Sequence, residues 1–128
     1  MFIYYNPNPD NKSTSDCVIR SLSKVLNKDW EETYIALAIE GLLMHEMPSV
    51  NTVWGNYLKR HGFVRYVIPD SCPYCYTIKQ FCYDHPIGTF VLGTGSHAVA
   101  VIDGDYYDSL NSGNEVPIYY WEKEINRS

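Results

Sequence analysis

The sequence predicts an α+β fold in which N-terminal helices pack on an antiparallel β-sheet. Two observations support this prediction. Apolar residues recur at helical spacing up to about residue 62, and short runs of β-branched and aromatic residues separated by turn signals follow. Helices that precede the strands, instead of alternating with them, are typical of the α+β class. No repeat or Gly/Ser linker divides the 128 residues, so we expect a single domain, 1–128.

Three helices are predicted in the first half. The first spans about Ser15 to Leu26, with apolar side chains at helical spacing: Val18, Ile19, Leu22, Val25 and Leu26. The second covers "DWEETYIALAIEGLLMH", where Asp29 and Glu32 have the spacing of a capping box. The third covers "SVNTVWGNYLKRH" and ends at Gly62, a residue favoured just after helices.

Strand patterns dominate the second half. "MFIYY" at the start is also β-like, and five later runs are predicted strands: "RYVI", "TFVLG", "HAVAVI", "DYYDSL" and "PIYYWEK". One short helix is expected between them, at "TIKQFCYDH".

Composition excludes several classes of function. The net charge of −5 and the scattered Lys and Arg residues argue against nucleic-acid binding. The N-terminus lacks the basic and apolar regions of a signal peptide, and no apolar run is long enough to span a membrane. We therefore expect a cytoplasmic protein whose four cysteines are reduced thiols or metal ligands.

Cys17 occupies a position that favours ionisation. In "SDCVIRSLSKVL" it stands at the predicted start of the first helix. A helix N-terminus or a neighbouring imidazolium lowers the pKa of a thiol from about 8.5 into a range of about 3.5–7.5. The pattern therefore predicts a nucleophilic thiolate, whereas a cysteine that only fills space in the core has no reason to prefer a helix start.

A histidine and a carboxylate are predicted to meet downstream. In "HAVAVIDGDYYDS", Asp103-Gly104 is a strong signal for a two-residue hairpin turn. With that turn Val99 faces Asp108, which lies diagonally from His97 and within reach of a hydrogen bond. His97 would accept the thiol proton and return it to the leaving group, while Asp108 orients the imidazole.

A cysteine at the start of the first helix, "GSHAVAV" at a strand start and an acid in the next strand resemble the papain-like cysteine peptidase superfamily. The similarity is greatest to small bacterial and phage-type members such as bacteriocin-leader-processing peptidases, and it covers about residues 11–26 and 90–121. It implies a Cys17, His97 and Asp108 triad, with Asn111 as the alternative third member. It also implies an oxyanion donor six residues before the cysteine, which is Asn11, acting with the Cys17 amide. Papain itself has an asparagine where this chain has Asp108.

A second cluster suggests a structural zinc site. "CPYCYTIKQFCYDH" places Cys72, Cys75, Cys82 and His85 in a C-x2-C-x6-C-x2-H pattern that would complete a tetrahedral site. The alternative interpretation is a short helix that directs Cys82 into the core, with Cys72 and Cys75 in the preceding turn. A disulfide between those two would be disfavoured in a reducing compartment.

The leading functional hypothesis is a small papain-like hydrolase without a cofactor, whose partner is a peptide or protein substrate cleaved at a peptide or isopeptide amide bond. Three alternatives stay open. The same fold would serve a non-catalytic binding protein, such as a phage-type protein that holds a host factor. The cysteine cluster would suit a small interaction protein with a structural zinc ion. The third alternative is a cell-wall amidase of the same papain-like superfamily.

Overall fold

The computed structural model describes residues 1–124, which form an α+β fold with four helices and six strands. The helices are α1 (Cys17–Leu26), α2 (Trp30–Met44), α3 (Asn51–Arg60) and α4 (Ile78–Asp84). The strands are β1 (Phe2–Tyr4), β2 (Phe63–Val67), β3 (Thr89–Gly93), β4 (Ala98–Ile102), β5 (Asp105–Asp108) and β6 (Tyr119–Lys123). The predicted class is therefore confirmed. No helix of residues 1–124 is both long and apolar enough to cross a membrane.

The six strands form one sheet in the order β1-β5-β4-β3-β6-β2. Neighbours pair antiparallel except for β1, which runs parallel to β5. The sheet is therefore mixed, and the prediction of a wholly antiparallel sheet is wrong at this edge. The long stretch that holds α1, α2 and α3 separates β1 from the rest of the sheet, and parallel pairing requires a long connection of this kind.

Side-chain alternation divides the core into two layers, one on each face of the sheet. On one face, Val91, Ala98 and Ala100 pack against buried residues of α1, α2 and α3, among them Leu22, Leu37, Trp54 and Leu58. On the other face, α4 contributes Ile78, Phe81 and Cys82 against Phe90, Leu92, Val99 and Val101. The three long helices thus pack on the sheet as predicted, while α4 covers the opposite side.

The helix boundaries follow the predicted signals with one informative difference. Asp29 accepts the Glu32 amide at 2.7 Å and the Glu32 side chain accepts the Asp29 amide at 3.4 Å, which confirms the capping box of α2. In α1, which was predicted to start at about Ser15, the N-cap residue is Asp16, and its side chain makes no capping hydrogen bond. The first residue of α1 is Cys17.

Candidate active site

The β4–β5 hairpin has the turn that the sequence predicts. Asp103 and Gly104 both have positive φ values, 50° and 82°, as two-residue hairpin turns of this hand require. The register pairs Ile102 with Asp105 and Ala100 with Tyr107. Asp103 is a turn residue, and its carboxylate accepts a hydrogen bond from the Gly88 amide at 3.0 Å.

This register brings His97 and Asp108 together. His97 lies immediately before β4 and Asp108 is the last residue of β5. The distance from His97 Nε2 to Asp108 Oδ2 is 2.6 Å. Asp108 is fully buried, whereas the His97 side chain is 23% exposed. The imidazole can therefore contact a ligand while its carboxylate partner is shielded from water.

The Asp108 carboxylate is held by donors on both oxygens. Oδ2 accepts from His97 and from Ser112 Oγ at 2.7 Å, and Oδ1 accepts from the Ser109 amide at 2.7 Å. Arg20 Nη2 forms an ion pair with Oδ1 at 3.0 Å. Burial by itself would raise the pKa of Asp108, but the hydrogen bonds from His97 and Ser112 and the nearby positive charges lower it. Asp108 is therefore an ionised, fixed acceptor for His97.

Cys17 lines the same cavity as His97. Burial would raise the pKa of its thiol, yet hydrogen bonds from His97 and the Ala98 amide, with the charges of His97 and Arg20, lower it overall. Because Nε2 of His97 is occupied by Asp108, Nδ1 is the ring nitrogen left for the thiol. The start of α1 favours a negative charge at the same position.

The His97 imidazole is correspondingly stabilised in its charged form. The hydrogen bond to Asp108, followed by the one to Cys17, raises the pKa of His97 to about 10 despite its partial burial. A raised imidazole pKa and a lowered thiol pKa favour a thiolate–imidazolium pair near neutral pH. This is the resting state that a cysteine nucleophile requires.

The thiol and the imidazole face a cavity of about 520 Å³. Residues from α1, α2, α3, the loop before β4 and β6 surround it, and its walls are mainly apolar. They include Val18, Tyr34, Leu37, Trp54 and Tyr119. Cys17 and His97 both line this cleft, which is large enough for several side chains of a ligand.

Asn11 and Asn111 lie outside this arrangement. Asn11 is exposed, contacts Asn6 at 3.4 Å, and does not line the cavity that contains Cys17. Asn111 accepts hydrogen bonds from the Tyr106 hydroxyl at 2.6 Å and from the Gly113 amide at 3.1 Å. The acid that contacts the imidazole is therefore Asp108, and the residue six positions before Cys17 contributes no donor to the cavity.

The cysteine cluster does not form a zinc site. Cys72 and Cys75 are joined by a disulfide, so the expectation that all four cysteines are reduced or bind metal is wrong for these two. Cys82 is buried in the core beneath the sheet, and the His85 ring stacks on Phe81 with a centroid distance of 3.9 Å. Helix α4 directs Cys82 inward, away from the preceding turn. Within residues 1–124, no group of three or more suitable ligands converges on a metal position.

Sequence reasoning missed an ionic network beneath the site. Arg20 is buried and lies between two carboxylates, with Nη1 at 2.7 Å from Asp16 Oδ1 and Nη2 at 3.0 Å from Asp108 Oδ1. Trp30 Nε1 donates to Asp16 Oδ2 at 2.9 Å. Opposite charges four residues apart in α1 were the available signal, but such pairs are usually exposed and contribute little.

Comparisons of the chain with models of protein families, with curated proteins and with solved structures find no match. The functional assignment therefore depends on the geometry around Cys17.

Proposed function

We propose that the protein is a small cysteine hydrolase with a papain-like fold that cleaves peptide or isopeptide amide bonds. One observation carries this proposal. A thiol at the first residue of a helix and an imidazole bonded to a buried carboxylate line the same cavity, and the pKa of the thiol is lowered while that of the imidazole is raised. The chain order of Cys17, His97 and Asp108 and the packing of α1 on β4 further support a papain-like arrangement.

In the first step, the Cys17 thiolate attacks the carbonyl carbon of the substrate amide. The negative charge that develops on the carbonyl oxygen is stabilised by the amide of Cys17 and by the positive end of α1. The C–N bond then breaks, and His97 donates its proton to the departing amine. The products of this step are a thioester on Cys17 and a free amine.

In the second step, His97, now neutral, accepts a proton from water as the water oxygen attacks the thioester carbonyl. The C–S bond breaks, the carboxylic acid product leaves, and the thiolate–imidazolium pair is restored. Asp108 stays ionised throughout and keeps the ring oriented, because its oxygens are already held by Ser109, Ser112 and Arg20.

The proposal is tested by incubating the protein with a mixture of defined peptides and identifying new termini by mass spectrometry. We expect cleavage by the wild-type chain and its loss, together with the loss of a trapped thioester, in Cys17→Ala. Cys82→Ala is the matched control, because the Cys82 thiol lies in the core with its pKa raised to about 11. Equal cleavage by wild type and Cys17→Ala would contradict the assignment of Cys17 as the nucleophile.

The non-catalytic alternative makes a different prediction. A binding protein derived from this fold would not need an aligned thiol and imidazole, and its capture of a partner would survive Cys17→Ala. The lowered pKa of Cys17 and the raised pKa of His97, on side chains that line the same cavity, favour the hydrolase. If alkylation of Cys17 by iodoacetamide at pH 6 is no faster than that of a free thiol, the hydrolase proposal fails.

A further inference from the structure

Asp16 stands at the N-cap of α1 but does not cap it. An aspartate at this position normally accepts hydrogen bonds from the amides of the first turn, and this stabilises the helix. Here the Asp16 carboxylate is 5% exposed and is held by Arg20 and Trp30, at 2.7 and 2.9 Å. The first turn of α1, which begins with Cys17, is left without that acceptor.

The position of the Asp16 carboxylate matters because the next residue is Cys17. If Asp16 capped the helix, its charge would lie against the first-turn amides, beside the Cys17 thiol. A negative charge there would oppose formation of the thiolate and would occupy donors that favour an anion. Holding Asp16 away from the amides leaves the helix start available to the thiol and to a developing oxyanion.

Arg20 links this feature to the other end of the site. Its second arm binds Asp108 Oδ1 at 3.0 Å, and Asp108 binds His97 through Oδ2. Charges therefore alternate from Asp16 through Arg20, Asp108 and His97 to Cys17. The two ion pairs contribute little net stability, because the desolvation of a buried guanidinium offsets much of their attraction. Its Nε also lacks a hydrogen-bond partner within residues 1–124.

We infer that Arg20 is a positioning residue that fixes the Asp108 carboxylate toward His97 and keeps the Asp16 carboxylate off the first turn of α1, so that Cys17 is held as a thiolate. This inference depends on the proposed function only in so far as Cys17 is the nucleophile. Arg20 itself does not line the cavity.

The titratable groups around the thiol are few. Asp16 and Arg20 come from α1 and its N-cap, His97 from the start of β4, and Asp108 from β5. Tyr34 of α2 and Tyr119 of β6 line the cavity, and α3 contributes the uncharged Asn51 and Trp54. A change in the ionisation of Cys17 on substitution of Arg20 therefore has few other sources.

The test is the pH dependence of Cys17 alkylation by iodoacetamide, measured in the full chain by mass spectrometry and requiring no substrate. In Arg20→Met we expect the midpoint to rise by about one pH unit, since a neighbouring positive charge is lost and Asp16 is free to cap the helix. In Asp16→Asn the midpoint should not rise. The double variant Asp16→Asn/Arg20→Met should return toward the wild-type midpoint, because no carboxylate remains to cap the helix.

Folding is checked for each variant by near-UV circular dichroism at the temperature of the assay. Arg20→Lys serves if Arg20→Met does not fold. An ammonium group keeps the charge but cannot hold two carboxylates with a planar fork, so a smaller upward shift is expected.

An unchanged midpoint in a folded Arg20 variant, or a double variant shifted as far as Arg20→Met, would overturn the inference. A wild-type midpoint equal to that of a free thiol would instead contradict the proposed function, so the two failures are distinguishable.

Discussion

His97 and Asp108 are eleven residues apart in the chain, and their side chains meet at 2.6 Å because a two-residue turn folds β5 back along β4. The contact is thus a consequence of hairpin register, which the Asp103-Gly104 turn fixes. A shift of one residue would move Asp108 to the other face of the sheet and separate it from the imidazole.

Asp108→Asn should lower the rate of substrate cleavage by about 10²- to 10⁴-fold, because a neutral amide neither stabilises the imidazolium nor enforces the ring orientation. Steady-state kinetics with a cleaved peptide measure the effect. Asn111→Ala is the control, since Asn111 contacts Tyr106 and Gly113 instead of His97. A larger loss in Asn111→Ala than in Asp108→Asn would assign the third position to Asn111.

Two buried serines of α1 provide a matched pair. Ser21 Oγ lies 2.7 Å from the Cys17 carbonyl oxygen and 2.9 Å from that of Ala98, whereas Ser23 Oγ donates to Thr33 of α2. Substitution of either by alanine should lower the free energy of unfolding by about 1 kcal/mol, measured by urea denaturation. Only Ser21→Ala should also slow Cys17 alkylation, because it loosens the start of α1 from β4. Equal alkylation rates would argue against this coupling.

The cysteines should separate into three classes in a thiol titration. We expect one thiol, Cys17, to react with a disulfide reagent in the native protein. A second, Cys82, should react only after denaturation, because it is 4% exposed. Cys72 and Cys75 should become available after reduction of their disulfide. Four reactive thiols in the denatured, unreduced protein would contradict the disulfide, and a fast native Cys82 would contradict the core packing of α4.

The thiolate–imidazolium pair of Cys17 and His97 should affect how the free energy of unfolding depends on pH, and the Cys17→Ser variant should make this effect visible. The pKa of His97 is raised from 6.5 to about 10, so its contribution is complete below about pH 6.5 and is lost as the pH rises through the folded value. The pKa of Cys17 is lowered from 9.0, so its contribution to stability is complete above about pH 9 and is lost as the pH falls through the folded value. Where the thiolate–imidazolium pair exists, folded and unfolded chains bind the same number of protons at these two sites, and wild-type stability should change little.

Cys17→Ser removes the compensating group and leaves the bond from His97 to Asp108 in place. The free energy of unfolding of this variant should therefore fall between pH 6.5 and 9, by at most about 1.4 kcal/mol per pH unit. The measurement is urea denaturation across that range, with His97→Gln/Cys17→Ser as the control that lacks both groups. If the free energy of unfolding depends on pH in the same way in Cys17→Ser and in His97→Gln/Cys17→Ser, the pKa of His97 is not raised in the folded protein.

Local patterns accounted for most of the fold and for three members of the site. The capping box at Asp29 and the turn at Asp103-Gly104 depend on neighbouring residues, so their geometry follows from sequence. From the turn, period-two alternation was sufficient to bring Asp108 to His97. No local rule joins the start of α1 to β4, so the prediction that Cys17 pairs with His97 rested on the chemistry of the two residues and on the resemblance to papain-like peptidases.

Features that depend on tertiary packing were not predictable. The parallel pairing of β1 with β5 joins the two ends of a long connection, and nothing in "MFIYY" specifies its partner. The diversion of Asp16 from its helix depends on Trp30 and Arg20, whose side chains converge only after α1 and α2 pack. Asn11 stands six residues before Cys17, as the resemblance implies for an oxyanion donor, yet it is exposed and does not line the cavity.

Pairing with β1 has a consequence for the strand that carries the acid. Without it β5 would be an edge strand; with it, β5 is hydrogen-bonded on both sides, and the Tyr5 amide donates to the Asp108 carbonyl oxygen at 2.9 Å. The β5 backbone, which positions the Asp108 carboxylate, therefore does not lie at the edge of the sheet, where strands fray. Deuterium uptake along Asp105–Asp108 should accordingly be as slow as in the centre of the molecule, leaving local opening to the loops that border the cleft.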